Sequence, residues 1–435
     1  MSNKIEPRIL KGFRDFLPSK EIERKRIIGI LEKNFESFGY VPIDTPVLEY
    51  TEVLLGKGGG ETDKQVYRFE DNGGRDVSMR FDLTVPFARY MAKNRNDLHL
   101  PFKRYHINKV WRGENTQRGR YREFMQCDFD IVGIDTASAD FEILMMMHDS
   151  MKAIDVNDIT IHFSHRGIFN RLLDRLEILS SSVDILRIVD KLGKIGEEEV
   201  MALLKELTTE SNAKEILDFI KPAGSDEESL AKMERAAGGT SDDTERLKTI
   251  FGYIKECGME DSFKLDPSIT RGLDYYTGIV YETFLDELPG IGSVCSGGRY
   301  NNLASLYTKE ELPGVGAAIG LDRLLAALEE LGRVSEKQSV TDLLILALDE
   351  KLYGHYHNLS RQFRKADINC EVFHTKKKLN AQFKYAEAKS IPFALICGED
   401  EFSSRTVNIK DLDKRENWNG LTVDEAIAKL SENKR

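Results

Sequence analysis

Apolar residues recur at helical spacing between Lys20 and Phe38, at Ile22, Ile27, Ile30, Leu31, Phe35 and Phe38. Pro18 and Ser19 stand ahead of this run and Gly39 behind it, so the pattern predicts a helix with a start and a stop. A strand around Tyr40–Ile43 follows, interrupted by Pro42 and Pro46. From there to about Ile161 short strands alternate with helices, the clearest being a helix over Phe141–Ile154. The pattern then turns almost wholly helical from Gly167 to Phe263. Helices are expected over Asn170–Leu179, Ser182–Leu192, Glu197–Leu207, Ala213–Phe219 and Asp242–Cys257, with acidic, glycine-containing joints at Ala223–Glu228 and Ala237–Asp243. This segment reads as a helical insertion within a mixed sheet domain. Alternation resumes at Arg271 and ends in a helix expected over Gly316–Leu331. After a polar stretch at Gly332–Thr341, strands at Leu343–Leu348, Asn369–Phe373, Phe393–Cys397 and Thr406–Ile409 alternate with helices at Leu352–Ala366, Leu379–Lys389 and Val423–Leu430. That order predicts a small α/β unit with a mostly parallel sheet.

Two strands carry a polar face. Alternation along Phe102–Arg112 sets Arg104, His106, Asn108 and Arg112 on one side, with Tyr105, Ile107 and Trp111 on the other. Along Glu123–Val132, Met125, Cys127, Phe129 and Ile131 form an apolar side opposite Phe124, Gln126, Asp128 and Asp130. Joined by the loop Gly113–Arg122, the two form an antiparallel pair with Arg112, Gln126, Asp128 and Asp130 in close company. A half-buried sheet often turns polar residues to water. An arginine-rich loop, a glutamine, two acids and an aromatic together point instead to a ligand. The hexapeptide Met79–Thr84 is expected to place Asp82 and Thr84 on one side of a strand. Arg271–Gly278 opens a strand that runs on as IVYETF and returns, after a turn at Pro289–Gly292, as SVCSGGRY. In the last helix Arg323 lies off the leucine stripe, with small neighbours Gly320, Ala326 and Ala327 leaving space above it.

The chain has 435 residues, 41% hydrophobic and 31% charged, which excludes disorder as the dominant state and gives a prior of about two to four domains. The most apolar stretch, Leu343–Leu348, is too short to cross a membrane. The first residues carry both signs of charge without an apolar signal core, so a cytoplasmic location is expected. The five cysteines are scattered and form no C-x-x-C pair, as in a protein with reduced thiols. The net charge of −11 argues on its own against a nucleic-acid partner. Local charge reverses that reading: Lys103–Arg122 holds seven Lys or Arg and one acid, Glu114, which suits a polyphosphate or a nucleic-acid end.

Other chemistries lack their motifs. Gly56–Gly60 misses the phosphate-loop spacing, and Gly314–Gly320 misses G-x-G-x-x-G by one residue. There is no H-E-x-x-H and no G-x-S-x-G, and His355-Tyr-His357 is an isolated pair, so no metal ligand is assigned.

At these residues the sequence resembles the class II aminoacyl-tRNA synthetases. Arg112-x-Glu114 with the loop and Phe124 resembles motif 2, Gly320-Leu-Asp-Arg323 motif 3, and Tyr40–Tyr50 with Pro46 motif 1, the dimer interface of that class. Arg271-Gly-Leu-Asp-Tyr-Tyr276, Gly297-Gly-Arg-Tyr300 and Gln126-Cys-Asp-Phe-Asp130 resemble signatures of the histidyl-tRNA synthetase family, as do Lys11–Asp15 and the C-terminal α/β unit. Five motifs in order cover nearly the whole chain. A non-catalytic paralogue in histidine biosynthesis is the serious rival. Such proteins usually lack the C-terminal domain and degrade the arginine motifs, whereas Arg112, Arg271, Arg323 and residues Asp342–Arg435 are present here.

The resemblance implies an α/β (α+β) fold. An antiparallel class II sheet is flanked by helices, with a helical insertion and a C-terminal α/β anticodon-binding domain. It implies catalytic segments at 1–166 and 265–332, the insertion at 167–264 and the anticodon-binding domain at 340–435. The implied reaction joins histidine to ATP as histidyl-adenylate, releasing pyrophosphate, then moves histidine to the 3′ end of its tRNA. Arg112 and Arg271 would be catalytic. Asp82, Leu83, Thr84, Arg112, Gln126, Asp130, Arg271, Tyr275 and Tyr276 would bind histidine, with Asp130 and Tyr276 on the imidazole. Arg112, Glu114, Phe124 and Arg323 would bind ATP, which brings Mg2+. The implied partner is histidine tRNA and the implied assembly a homodimer, with Lys376–Lys378, Lys384 and Lys389 contacting RNA. The family commonly has Asp after Gly-Gly-Arg-Tyr, where this chain has Asn301, and some members have Glu where this chain has Asp130.

Overall fold

The computed structural model describes residues 4–56, 64–269 and 275–433. Arg271, with its neighbours Gly272–Asp274, lies outside the described residues. In chain order the first elements are α1 (Pro18–Ser37), β1 (Val41–Pro42), β2 (Leu48–Tyr50), α2 (Thr51–Leu55), β3 (Arg68–Glu70), β4 (Asp76–Met79), α3 (Thr84–Lys93), β5 (Phe102–Trp111), β6 (Glu123–Val132), α4 (Ala137–Ala153) and β7 (Ile159–His165). A helical run follows: α5 (Arg166–Arg175), α6 (Ser182–Val189), α7 (Leu192–Ile195), α8 (Glu197–Leu207), α9 (Glu210–Ile220), α10 (Asp226–Ala236) and α11 (Asp242–Glu256). Next come β8 (Phe263–Leu265), β9 (Ile279–Leu285), β10 (Cys295–Arg299), β11 (Gly314–Gly320) and α12 (Leu321–Glu330). The last stretch holds β12 (Leu343–Ile345), α13 (Tyr353–Lys365), β13 (Cys370–Val372), α14 (Leu379–Ala388), β14 (Phe393–Ile396), α15 (Glu399–Ser404), β15 (Val407–Asp411), β16 (Glu416–Leu421) and α16 (Val423–Glu432).

The chain divides into two compact units: Met1–Arg14 with Ile27–Arg333, and Asp15–Arg26 with Val334–Arg435. The first is built on an eight-stranded sheet in the order β1-β5-β6-β11-β10-β9-β7-β8. Its centre is antiparallel, and only the edge pairs β1–β5 and β7–β8 are parallel. The apolar side of β5 and β6 packs as alternation predicts. The Phe35 ring on α1 lies 5.0 Å from Phe129 and 5.6 Å from Tyr105. Cys127, Phe129 and Ile131 of β6 are buried, as are Ile143, Met146 and Met147 of α4. Burying each large side chain of this kind contributes about 1.5–3 kcal/mol. The second unit carries a five-stranded sheet in the order β13-β12-β14-β15-β16, with Tyr356, Leu359, Phe363 and Trp418 in its core. Among the described residues no helix is long and apolar enough to cross a membrane.

Several expectations need correction. Residues 316–331 are not one helix: Gly314–Gly320 is the central strand β11, and the helix begins at Leu321. Small residues are required there because neighbouring groups come very close. A Cβ at Gly316 would lie 2.0 Å from Oδ1 of Asp130, and one at Gly297 would lie 2.1 Å from the Gly316 carbonyl. Run at helical spacing, the leucine stripe of α12 masked the change of period. Asp82 and Thr84 do not share a strand face. The strand ends at Met79, and the two residues open α3, where Asp82 Oδ1 accepts from the Val85 amide at 3.1 Å. The expected acidic joint at Ala223–Glu228 instead starts α10, capped by Ser225. The C-terminal sheet is mixed: β13, β12 and β14 are parallel, while β15 and β16 add antiparallel strands.

Candidate active site

Register gathers the polar residues of the sheet. Asp130 of β6 stands between Arg104 of β5 and Gly316 of β11, while Asp128 faces His106 and Gln126 faces Asn108. Gly316 has no side chain, so the Asp130 carboxylate occupies the space above it. Arg104 and Asp130 are both buried, with Nη2 and Oδ2 2.6 Å apart. The Tyr300 hydroxyl donates to Asp130 Oδ1. Tyr300 follows β10. The Tyr275 ring lies 4.7 Å from Tyr276 and 6.2 Å from Tyr300, so three phenols line one wall. Gly298 makes room for this wall, since a Cβ there would lie 2.8 Å from the Tyr276 ring.

Acidic groups adjoin these phenols. Asp82 is 2% exposed, and burial pushes its carboxyl up to about 6, against the pull of the Val85 amide and of Arg112 and Arg104. Burial also raises Asp128 and Asp130, outweighing Arg104. Tyr275 and Tyr300 are held well above the usual phenol range, first by burial, and remain donors. Asp82 Oδ2, Gln126 Oε1, Asp128 Oδ1, and Arg104 Nε and Nη1 are buried without a hydrogen-bond partner. Buried polar groups are normally paired, so this concentration marks a place for a polar ligand. It offers carboxylates, an amide, a guanidinium and phenols, a set matched to a small zwitterion with a polar side chain.

A cationic and aromatic group adjoins it. Arg112 donates from Nε to the Phe81 carbonyl at 2.9 Å, and its guanidinium carbon stands 5.2 Å from the Phe124 ring centre. Glu114 lies 4.0 Å from Arg112 and 3.4 Å from Arg120. The loop between the strands is pinned to the N-terminal segment, because Arg122 donates its amide to the Gly12 carbonyl at 2.9 Å. It also rests on α12. Gly119 adopts a positive φ of 69°, and a Cβ there would lie 3.2 Å from Arg323 Cγ. Arg323 donates to the Ser293 carbonyl at 2.6 Å, and the neighbouring Asp322 accepts from Arg14 and from the Met125 amide. Guanidinium groups, a stacking ring and an acceptor carboxylate fit a nucleotide triphosphate.

The structure therefore assembles Asp82, Leu83, Thr84, Arg112, Gln126, Asp130, Tyr275 and Tyr276 around one sheet face, and Glu114, Phe124 and Arg323 around the loop beside it. Arg104 and Tyr300 both touch Asp130, and sequence reasoning gave neither a role. Alternation put Arg104 on the polar face of its strand, whereas the Tyr300 contact depends on the register of β10. Arg299 was likewise quoted only within its motif, and its partner Asp140 comes from α4. Among the described residues no group of three or more His, Cys, Asp or Glu suits a metal.

A family model described as "Histidyl-tRNA synthetase" matches residues 12–324, and one described as "Anticodon binding domain" matches residues 342–433. The chain is 51% identical to a "Histidine--tRNA ligase" of Treponema denticola, covering all of both chains, and 47% identical to one of Rhodopirellula baltica over 95% of each. The crystal structure of histidyl-tRNA synthetase from Nostoc sp. PCC 7120 superposes with a TM-score of 0.87 at 31% identity, over 99% of this chain and 100% of that one. With a matching family model over most of its length and relatives this similar from end to end, the chain belongs to the histidyl-tRNA synthetase family.

Proposed function

We propose that the buried polar cluster between Asp82 and Asp130 is the histidine pocket of a histidine–tRNA ligase, and that the Arg112–Phe124 group beside it takes ATP. The observation that carries the assignment is the set of unpartnered buried groups on Asp82, Gln126, Asp128 and Arg104 beside three phenols. Asp82, Thr84 and Gln126 hold the α-ammonium, Leu83 and Tyr275 line the pocket, and Asp130 and Tyr276 pair the two imidazole nitrogens. An apolar side chain of similar size would leave those groups unpaired, which is strongly unfavourable.

In the first step the histidine carboxylate attacks the α-phosphorus of ATP in line and pyrophosphate departs. In the second, a hydroxyl of the terminal tRNA adenosine attacks the histidyl carbonyl and AMP departs. Arg112 and Arg271 stabilise charge on the phosphoryl oxygens. Arg323 holds the γ-phosphate and covers the adenine, Phe124 stacks on the adenine from the other side, and Glu114 accepts from its amino group. Mg2+ enters with ATP as part of the substrate.

Residues 1–166 and 265–332 form the catalytic domain, 167–264 the insertion over the tRNA acceptor arm, and 340–435 the anticodon-binding domain. The family matches ending at 324 and beginning at 342 support the start of the last domain. Lys376, Lys377, Lys378 and Lys384 are exposed and suit RNA phosphates, whereas Lys389 is engaged by Glu371 at 2.8 Å. Homodimerisation through the motif 1 region is supported by the exposed Val41, Leu48 and Tyr50. Five scattered cysteines with no C-x-x-C pair fit the cytoplasm.

Arg271 provides the test. Arg271→Ala is expected to slow adenylate formation by about 10²–10³-fold in single turnover, far more than it weakens histidine binding. Equal losses in both would contradict its role.

A further inference from the structure

The amino-acid pocket is tied to a helix outside it through buried charge. Arg299, 1% exposed, donates from Nε to Asp140 Oδ1 at 2.8 Å, and from Nη1 to the Ile134 carbonyl at 3.2 Å and to Asn301 Oδ1 at 3.1 Å. Asp140 accepts on its other oxygen from Arg246 of α11 at 2.5 Å. Arg246 reaches Asp135 at 2.7 Å, and Asp135 in turn accepts from the Asn301 amide at 2.7 Å. Two arginines thus face two aspartates, closed into a ring by one neutral amide. The chain around Arg299 also sets the pocket wall. Its carbonyl accepts from the Thr277 amide at 2.8 Å, and the backbone N–H of Asn301 donates to Thr277 Oγ1 at 3.1 Å. Thr277 follows Tyr275 and Tyr276, and Tyr300 stands between Arg299 and Asn301.

We propose that Arg246 and Asn301 are positioning residues for the amino-acid pocket, acting through Asp140, Arg299 and Thr277 on Tyr276, Tyr300 and Asp130. This rests on the reading of that pocket as the histidine site. The amide at 301 has a physical reason. It accepts from Arg299 and donates to Asp135 at once, which no carboxylate does. An aspartate here would set a third negative charge against two arginines at hydrogen-bond distance from Asp135. α11 thereby reports on the pocket without touching it.

The test is histidine-dependent ATP–pyrophosphate exchange on the full chain with melting curves. Arg246→Ala and Asn301→Asp should each raise KM for histidine by about two- to thirtyfold, leaving KM for ATP within about twofold. Arg246→Lys should recover part of the loss. The double variant Asn301→Asp with Asp135→Asn restores both donor and acceptor, and should return KM for histidine towards the parent value. Lowered melting temperatures with an unchanged KM for histidine would overturn the proposal, as would failure of the double variant to recover. Asp130→Ala separates the two readings. If it abolishes histidine-dependent exchange while Arg246→Ala leaves KM unmoved, the coupling fails and the pocket stands. If Asp130→Ala leaves KM for histidine unchanged, the pocket itself is wrong.

Discussion

Gly316→Ala is the sharpest perturbation of the pocket, because it adds one methyl group at one defined place. The new Cβ would sit 2.0 Å from Asp130 Oδ1, 2.4 Å from its Cγ and 2.6 Å from the Phe129 carbonyl. The Phe129 backbone belongs to the β6–β11 ladder and has neighbours on both sides, so the Asp130 side chain is what yields. Its displacement breaks the bond from Tyr300 and the contact with Arg104. Over-packing of a filled site costs about 1–3 kcal/mol. Expressed as lost ligand stabilisation, that raises KM for histidine about five- to 150-fold. Glu114, Phe124 and Arg323 lie away from Gly316, so KM for ATP should stay within about twofold. The assay is ATP–pyrophosphate exchange at varied histidine, with a melting curve to establish that the variant is folded. A folded Gly316→Ala protein with the parent KM for histidine would refute the claim that the Asp130 carboxylate, held above Gly316, reads the substrate.

Other outcomes follow from the same geometry. Asp82 titrates near 6 in the folded chain against an ordinary 3.8, so the folded state holds the extra proton between these values. Stability therefore falls as pH rises through that window, by about 3 kcal/mol at most. Asp82→Asn should flatten the melting temperature between about pH 4 and 6 while weakening histidine binding, because the α-ammonium loses its counter-charge. A variant with the parent slope would contradict the assignment of that proton. Phe124→Ala should raise KM for ATP about five- to 150-fold, the span of about 1–3 kcal/mol for a base on an aromatic platform, with little change in KM for histidine. An effect on both alike would place Phe124 outside the adenine site.

The legible part of this protein was the part that rests on period. The helix of Lys20–Phe38, the β5–β6 pair and the helical run after Arg166 follow from spacing alone. Face parity also placed Arg112, Gln126, Asp128 and Asp130 together before any contact was known. What spacing does not carry is the packing of distant segments. In Gly314–Gly320 only Val315, Ala317 and Ile319 alternate with glycine or alanine, a short and weak period of two, and the leucines of α12 extend their pattern over it. Its identity as a strand comes from the closeness of Asp130 and of Gly297. Asp82 looked like the end of a strand because Met79 and Phe81 are apolar, yet its carboxylate opens α3. The ring of Arg299, Asp140, Arg246 and Asp135 joins residues more than 100 positions apart, which no local pattern encodes. The net charge of −11 likewise described the whole surface and concealed a basic loop over a polar sheet.

The central claim is that this pocket selects histidine and activates it. Purified protein incubated with ATP, labelled pyrophosphate and each of the twenty amino acids in turn tests it most directly. Label should enter ATP with histidine and stay at background with the others, and Asp130→Ala should abolish the histidine signal. No exchange with histidine, or equal exchange with a second amino acid, would contradict the account.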